Sequence, residues 1–331
     1  MKTILRTAVA AVCATLLTAC TSSGEGPGDA TPGEVTLLAY DAFTPAEGIF
    51  ANFTIDTGAD VKVVTSGDAG TLVSKAILSA GRPEGDVLWG LDNTLLSRAE
   101  DADLLESYEP VDTGDVCVNA DKKWFADRNL PVPTSFEDLA LPRYENLLVV
   151  EDPVASSPGL GFLLGTIAHF GEEGWRDYWT SLKKNGVRIV ADWTTAYTVD
   201  FSGSSGKGDR PLVVSYGSSP PAEIVYATSP ISEPPTSVVE STCFRQIEYV
   251  GVLRGARNPR LAAQLVDFLL DVQFQESMPT SLFVFPVNEE AQLPDVFRKW
   301  AVKPANPLTL APDTIADNRE EWLNEWRALM L

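Results

Sequence analysis

Strand, loop and helix signatures alternate along most of the chain and predict an α/β protein built on parallel sheet. The alternation breaks off once and resumes, and 331 residues are enough for two lobes with cores of their own. Apolar residues at 44% and charged residues at 21% fit an ordinary globular body.

Residues 35–40 are a run of strand formers closed by the loop residues Asp41, Thr44 and Pro45. Residues 49–53 read as a short helix and 61–65 as a second strand. Residues 71–80 place Leu72, Ala76 and Leu78 at near-helical spacing. A third strand at 86–90 runs into Asp92 and Asn93 and another helix. The pattern resumes with a strand at 147–150, and Ser156, Ser157, Pro158 and Gly159 open a helix. Residues 174–184 are amphipathic, 187–191 a strand, 194–201 a helix and 212–216 a strand. A further strand at 246–253 leads to a strongly apolar helix at 261–270. Trp322, Leu323, Trp326 and Leu329 give 313–331 the spacing of a helix packed on one face.

The start of the chain is a leader. Lys2 and Arg6 precede a short apolar run that ends in Leu17, Thr18, Ala19 and Cys20. That ending resembles the lipobox of bacterial lipoproteins, which implies acylation of Cys20 and attachment to the outer face of the cell membrane. The organisation expected is residues 1–19 as signal peptide and 20–33 as flexible tether. Residues 34–115 begin lobe 1, 116–245 form lobe 2, and 246–331 return to lobe 1 and add C-terminal helices. The tether is rich in Ser, Gly, Pro and Thr. No transmembrane segment is expected after the leader.

Net charge is −21, which argues against nucleic acid as a partner, since phosphates need Lys and Arg to displace counterions. Of the four cysteines, Cys13 leaves with the leader and Cys20 is the lipid carrier. Cys117 and Cys243 remain, and in an oxidising compartment a disulfide is their default state, with two free thiols the alternative. Both lie near the crossings between lobes. If the crossing segments run side by side, the bridge would staple the hinge.

In open α/β sheets ligands bind beyond the C-terminal ends of strands. The loops there carry Tyr40 and Asp41, Asp68, Ala69 and Gly70, Asp92 and Asn93, Ser156 and Ser157, Asp192 and Trp193, and Tyr216, Gly217, Ser218 and Ser219. Hydroxyls and free amides at helix starts suit an anion or polar heteroatom. Tyr and Trp faces suit stacking and cations, and the acids suit positive charge. Asp68, Asp92 and Ser156 also read as helix caps, and Tyr197 as core. His169 is the only histidine, so neither a zinc site nor a histidine-based triad is expected. Residues 202–208 look like a phosphate loop but lack the Ser or Thr after Lys207 and the correct first glycine.

Tyr40-Asp-Ala-Phe43, Gly90-Leu-Asp-Asn93, Asp152-Pro-Val-Ala-Ser-Ser-Pro-Gly-Leu-Gly161, Trp193-Thr-Thr-Ala-Tyr197, Val214-Ser-Tyr-Gly-Ser-Ser-Pro220, Met278-Pro-Thr280 and Glu320-Glu-Trp-Leu-Asn-Glu-Trp326 together resemble the thiamine-binding proteins of ABC importers. The resemblance spans nearly the whole chain after the leader. It implies a two-lobed periplasmic-binding-protein-like fold of type II, with two mixed sheets flanked by helices and a hinge between lobes. It also implies thiamine or its phosphates as ligand, permease subunits as partners, no cofactor and no catalysis. By matching position, the ligand contacts implied are Asp68, Ala69, Ser156, Ser157, Trp193, Tyr216, Gly217, Ser218, Ser219 and Tyr40. The chain departs from the pattern by a shortening between Leu105 and Asp115. Ala222 stands where the family has a tyrosine, with Tyr226 one turn on, and Phe283 or Phe285 stands in for an unmatched tryptophan. A binder of ferric ion or another small solute in the same fold is the alternative. A thiamine-degrading enzyme is a second, although a nucleophile would be lacking with Cys117 and Cys243 bridged.

Overall fold

The computed structural model describes residues 33–204 and 208–331; the segment expected to be a signal peptide, most of the expected tether and Cys20 lie outside the described residues. The strands are β1 (Glu34–Ala39), β2 (Asp60–Thr65), β3 (Val87–Asp92), β4 (Leu105–Thr113), β5 (Val116–Asp121), β6 (Leu148–Glu151), β7 (Arg188–Val190), β8 (Leu212–Tyr216), β9 (Thr236–Phe244), β10 (Ile247–Leu253) and β11 (Phe285–Pro286). The helices are α1 (Ala51–Thr57), α2 (Ala69–Leu78), α3 (Leu96–Asp101), α4 (Lys122–Asp127), α5 (Phe136–Leu139), α6 (Ser157–Lys184), α7 (Pro220–Val225), α8 (Pro259–Leu270), α9 (Val272–Ser281), α10 (Asp295–Trp300) and α11 (Pro312–Met330). Thr195–Asp200 is a turn of π-helix where the sequence predicts an ordinary helix.

Two mixed sheets result. One has six strands in the order β11-β4-β10-β3-β1-β2, and the other five in the order β7-β6-β8-β5-β9. In the first, β2, β1 and β3 run parallel, whereas β10, β4 and β11 are added antiparallel. In the second, β7, β6 and β8 are parallel and β5 and β9 antiparallel. Both faces of β3 and β5 are covered, and every residue of each is buried, which explains their near-continuous apolar runs.

Local chemistry sets the helix ends. Asp68 caps α2 by accepting from the Ala69 amide at 2.8 Å, and Asp121 caps α4 through the Trp124 amide at 3.0 Å. Pro158 sits in the first turn of α6, where a missing N–H costs nothing. Two helical segments appear in the sequence between 156 and 184, and the structure joins them across Gly171. That residue has φ 71°, a left-handed conformation that glycine adopts freely. In α8 the residues Leu261, Ala262, Leu265, Val266 and Leu269 form one buried stripe against the first sheet.

The chain passes between sheets at β4–β5 and again at β9–β10. Arg245 donates from Nε to Asp115 Oδ1 at 2.5 Å and ties the two crossings together. Cys117 and Cys243 form a disulfide with Cα atoms 4.2 Å apart. It joins β5 to β9, where their register shifts between Val116 and Val118. The bridge therefore locks two strands of the second sheet just inside both crossings, and not the crossing segments themselves.

The C-terminal helix does not belong to the first sheet alone. Helix α11 packs mainly on α6, which covers the second sheet, and also touches α3. Trp322, Leu323 and Trp326 are buried in that contact, and the Trp326 ring meets Trp179 edge-on at 5.5 Å. Among the described residues no helix is long and apolar enough to cross a membrane.

Candidate ligand cleft between the sheets

A cavity holding about 740 Å³ of non-protein space, part of it open to solvent, lies where the strand ends of the two sheets meet at the crossings. From the first sheet come Tyr40 after β1 and Asp68 and Ala69 after β2. From the second come Ser157 after β6, Trp193 and Tyr197 after β7, and Tyr216 and Ser219 at the end of β8. The crossings add Asp112, Gly114, Gln246 and Glu248, and the loop after α9 adds Leu282, Phe283 and Val284. Every parallel strand aims its C-terminal end at this space, except that Asp92 of β3 stands behind it.

Asp68 joins the two sides. One carboxylate oxygen caps α2, and the other accepts from the Trp193 amide at 3.1 Å. Burial raises its pKa, and the Ser156 hydroxyl and then the two amides work against that rise. Thr71 donates its amide to the Ala155 carbonyl at 3.2 Å, and the Ser157 hydroxyl donates to Asp92. These contacts between opposite sides describe a closed cleft.

The aromatic wall is ordered by its own partners. Trp193 lies flat on Tyr197, with ring centroids 5.0 Å apart and planes 13° apart, and donates its indole N–H to Ser215 Oγ at 2.9 Å. Tyr197 donates its hydroxyl to Glu223 at 2.8 Å. Tyr216 stands at 6.5 Å from Trp193 with its ring tilted by 49°. The Tyr40 hydroxyl donates to Glu248 at 3.2 Å. Burial, then the nearby Glu248 carboxyl, pushes the Tyr40 and Tyr216 phenols up, so both remain protonated donors.

The floor is acidic. Asp112 and Glu248 face each other in the β4–β10 register. Burial pushes the Asp112 carboxyl up to about 7, against a hydrogen bond with the Glu248 carboxyl that works the other way; burial, then the Asp112 charge, raises Glu248 well above the ordinary carboxylate range. Among the described residues no Lys or Arg lines the cavity.

The cavity lining includes Tyr40, Asp68, Ala69, Ser157, Trp193, Tyr216 and Ser219, but not Ser156, Gly217 or Ser218. Ser156 is buried behind the lining as the cap residue of α6. Gly217 spends its amide on the Asp115 carbonyl and its carbonyl on the Val302 amide, both at 2.9 Å, so its N–H is not free for a ligand. Ser218 is fully buried. Asp92 accepts from the Thr94 amide at 2.7 Å as a turn-forming acid. Tyr197, read as core, is buried and lines the cavity as well. Of the two phenylalanines expected to stand in for the unmatched tryptophan, Phe283 lines the cavity, whereas Phe285 packs on Phe297 at 4.8 Å. Ala222 reaches the cavity, and Tyr226 meets Phe283 across its mouth at 5.5 Å.

Asp112, Gly114, Gln246, Glu248, Leu282 and Val284 line the cavity and were missed by sequence reasoning. One signal was present: Gln246 and Glu248 are polar residues with a spacing of two in an otherwise apolar strand.

Two sheets joined by paired crossings, with a closed polar and aromatic cavity between them, define a two-lobed solute-binding protein. A family model described as Bacterial extracellular solute-binding protein matches residues 90–305, and the chain belongs to that family. It is 29% identical to the Thiamine-binding periplasmic protein of Escherichia coli K12, over 95% of this chain and 97% of the relative. It is 27% identical to the protein of the same description from Salmonella typhimurium, over 88% and 92%. A solved structure described as Periplasmic thiamin binding protein superposes with a TM-score of 0.80 at 24% identity, covering 90% of this chain and 96% of the other. The fold is therefore the two-lobed periplasmic-binding-protein fold expected from the sequence.

Proposed function

We propose that this protein captures thiamine outside the cytoplasmic membrane and delivers it to the permease of an ABC importer, held to the membrane by a lipid on Cys20. One observation carries the reading: the cavity sets Trp193, Tyr197, Tyr216 and Phe283 beside Asp68, Asp112 and Glu248, with no Lys or Arg in its lining among the described residues. Thiamine pairs a flat aminopyrimidine with a permanently cationic thiazolium. Aromatic faces stack on the first and attract the second by about 0.5–2 kcal/mol each. The acids balance its charge. Curated relatives that align over almost their full length carry a thiamine-binding description, which supports the same ligand here.

The unphosphorylated vitamin is the favoured form. A phosphate tail would meet an acidic floor, and the Ser157 hydroxyl and Gly217 amide already have protein partners. Capture changes no bond, so thiamine is recovered intact after incubation. Calorimetric titration of the purified protein with thiamine, its mono- and diphosphate, and ferric ion tests the reading. Saturable thiamine binding at micromolar or tighter affinity, on the order of −8 kcal/mol, is expected. Absence of thiamine binding, or tighter ferric binding, overturns it. For the anchor, Cys20→Ser is expected to move the protein from the membrane to the soluble fraction, and unchanged detergent-dependent fractionation refutes lipidation.

A further inference from the structure

Among the described residues, Asp112 is the one acid of the cavity lining that is buried with no amide, hydroxyl or cationic donor on its carboxylate; its polar neighbour is the Glu248 carboxyl, with which it can share a proton. It is 1% exposed, and neither oxygen accepts from such a donor. The other acids differ. Asp68 is held by two amides, and Glu248 accepts from Tyr40 at 3.2 Å and Gln246 at 3.4 Å. Glu151 is also buried without a partner, but it does not line the cavity. A protein interior tolerates a bare carboxylate poorly, and two adjacent ones worse. The titratable groups that face the pair among the described residues are Tyr40 just after β1, Asp92 from β3 and Tyr216 from β8, and none of them is a cation. The positive charge this pair lacks has to come from the cavity.

We infer that the Asp112–Glu248 pair is the charge-reading element of the cleft: closed and empty it retains a proton, and a cationic ligand seated against it displaces that proton to solvent. This rests on the thiamine reading above. The exchange balances in charge, since one cation enters as one proton leaves and the carboxyl pair gains one negative charge. A neutral solute of the same shape offers nothing to displace the proton, so the pair selects for positive charge as well as for flat rings. The pH dependence follows in sign. Burial raises both carboxyls of this coupled pair, Asp112 to about 7 and Glu248 well above its ordinary range, so around and below neutral pH the ligand must expel a proton and binding weakens as pH falls. Affinity rises by up to about tenfold per pH unit toward neutrality and levels off once the acid is already ionised.

Thiamine binding is measured by calorimetry at about pH 6.5 in two buffers of different protonation enthalpy, which counts protons released, and again between about pH 6 and 8. The expected count for the unaltered protein approaches one proton per thiamine. In Asp112→Asn/Glu248→Gln the count falls to near zero, the pH slope flattens, and affinity at the alkaline end drops at least tenfold. Thiamine binding without proton release in the unaltered protein overturns the inference and leaves the thiamine reading intact. Release that persists in the double variant also overturns it, by assigning the proton to another acid. No thiamine binding at any pH defeats the thiamine reading itself, and the inference with it. If the double variant does not fold, Asp112→Asn and Glu248→Gln are read singly: a proton count that stays near one in both overturns the inference, and a fall in either supports it.

Discussion

The Asp68 carboxylate accepts from the Trp193 amide at 3.1 Å, so a cap residue of the first lobe is also a latch to the second. Its other oxygen is fully committed to α2 through the Ala69 amide. One acid thus links helix termination, lobe closure and the cavity wall. Asp68→Asn retains one acceptor but sets an amide N–H against a second donor, either at α2 or at Trp193. Ligand affinity is predicted to fall at least tenfold, while the lost cap or latch costs about 1 kcal/mol of stability. Paired titrations and denaturant melts check this; unchanged affinity removes Asp68 from the closing mechanism.

Trp193 stacks on Tyr197, and both rings line the cavity. Trp193→Ala is predicted to weaken thiamine binding at least tenfold, through lost stacking of about 0.5–1.5 kcal/mol and lost cation attraction in a desolvated site. Trp193→Phe should recover part of the loss. The fold should survive, because Tyr197 is also anchored by Glu223 and by Phe201 at 5.5 Å. Circular dichroism and calorimetry on the same samples separate the two effects, and wild-type affinity in the alanine variant takes Trp193 out of the site.

The strands and most of the wall were legible because they rest on local patterns: apolar runs ended by Gly, Pro or Asp, with functional residues just past the strand ends. Tyr40, Asp68, Trp193 and Tyr216 follow from that rule alone. Asp112 and Glu248 do not, since nothing local pairs β4 with β10; a whole lobe intervenes before the chain returns to set them opposite each other. Gly217 shows the converse error. Its loop promised free amides, but that amide closes onto Asp115, a contact only the folded crossing creates. The packing of α11 was half legible: the apolar stripe revealed a buried face, and tertiary contact alone chose α6 as its main partner.

The Cys117–Cys243 bridge spans a sequence separation of 126 and links adjacent strands of one sheet. Its chief action is on the unfolded chain, where closing so long a loop is worth about 4–5 kcal/mol in the chain-entropy account. Cys117→Ser/Cys243→Ser is predicted to lower the urea midpoint markedly and to change thiamine affinity by less than about threefold, since neither sulfur lines the cavity. A large affinity loss at preserved fold would mean that the bridge also controls the crossing geometry.

Gly70 bears on closure without touching the ligand. It lies in the first turn of α2, and a Cβ there would come within 2.7 Å of the Val154 carbonyl oxygen and 2.8 Å of that of Ala155, both backbone atoms of the opposite lobe. Neither can swing away as a side chain would, and Thr71 next door already bonds to the Ala155 carbonyl. In an isolated helix alanine is preferred to glycine by about 0.5–1 kcal/mol, so Gly70→Ala should leave the lobe as stable as before or more so. The methyl group instead holds the lobes apart. Predicted together are an unchanged or higher melting temperature, thiamine affinity at least tenfold weaker, and no shrinkage of the radius of gyration on adding thiamine. Small-angle scattering with and without ligand reads the last directly, and normal contraction in the variant would show that the bound state closes by another approach of α2 to the 154–155 turn.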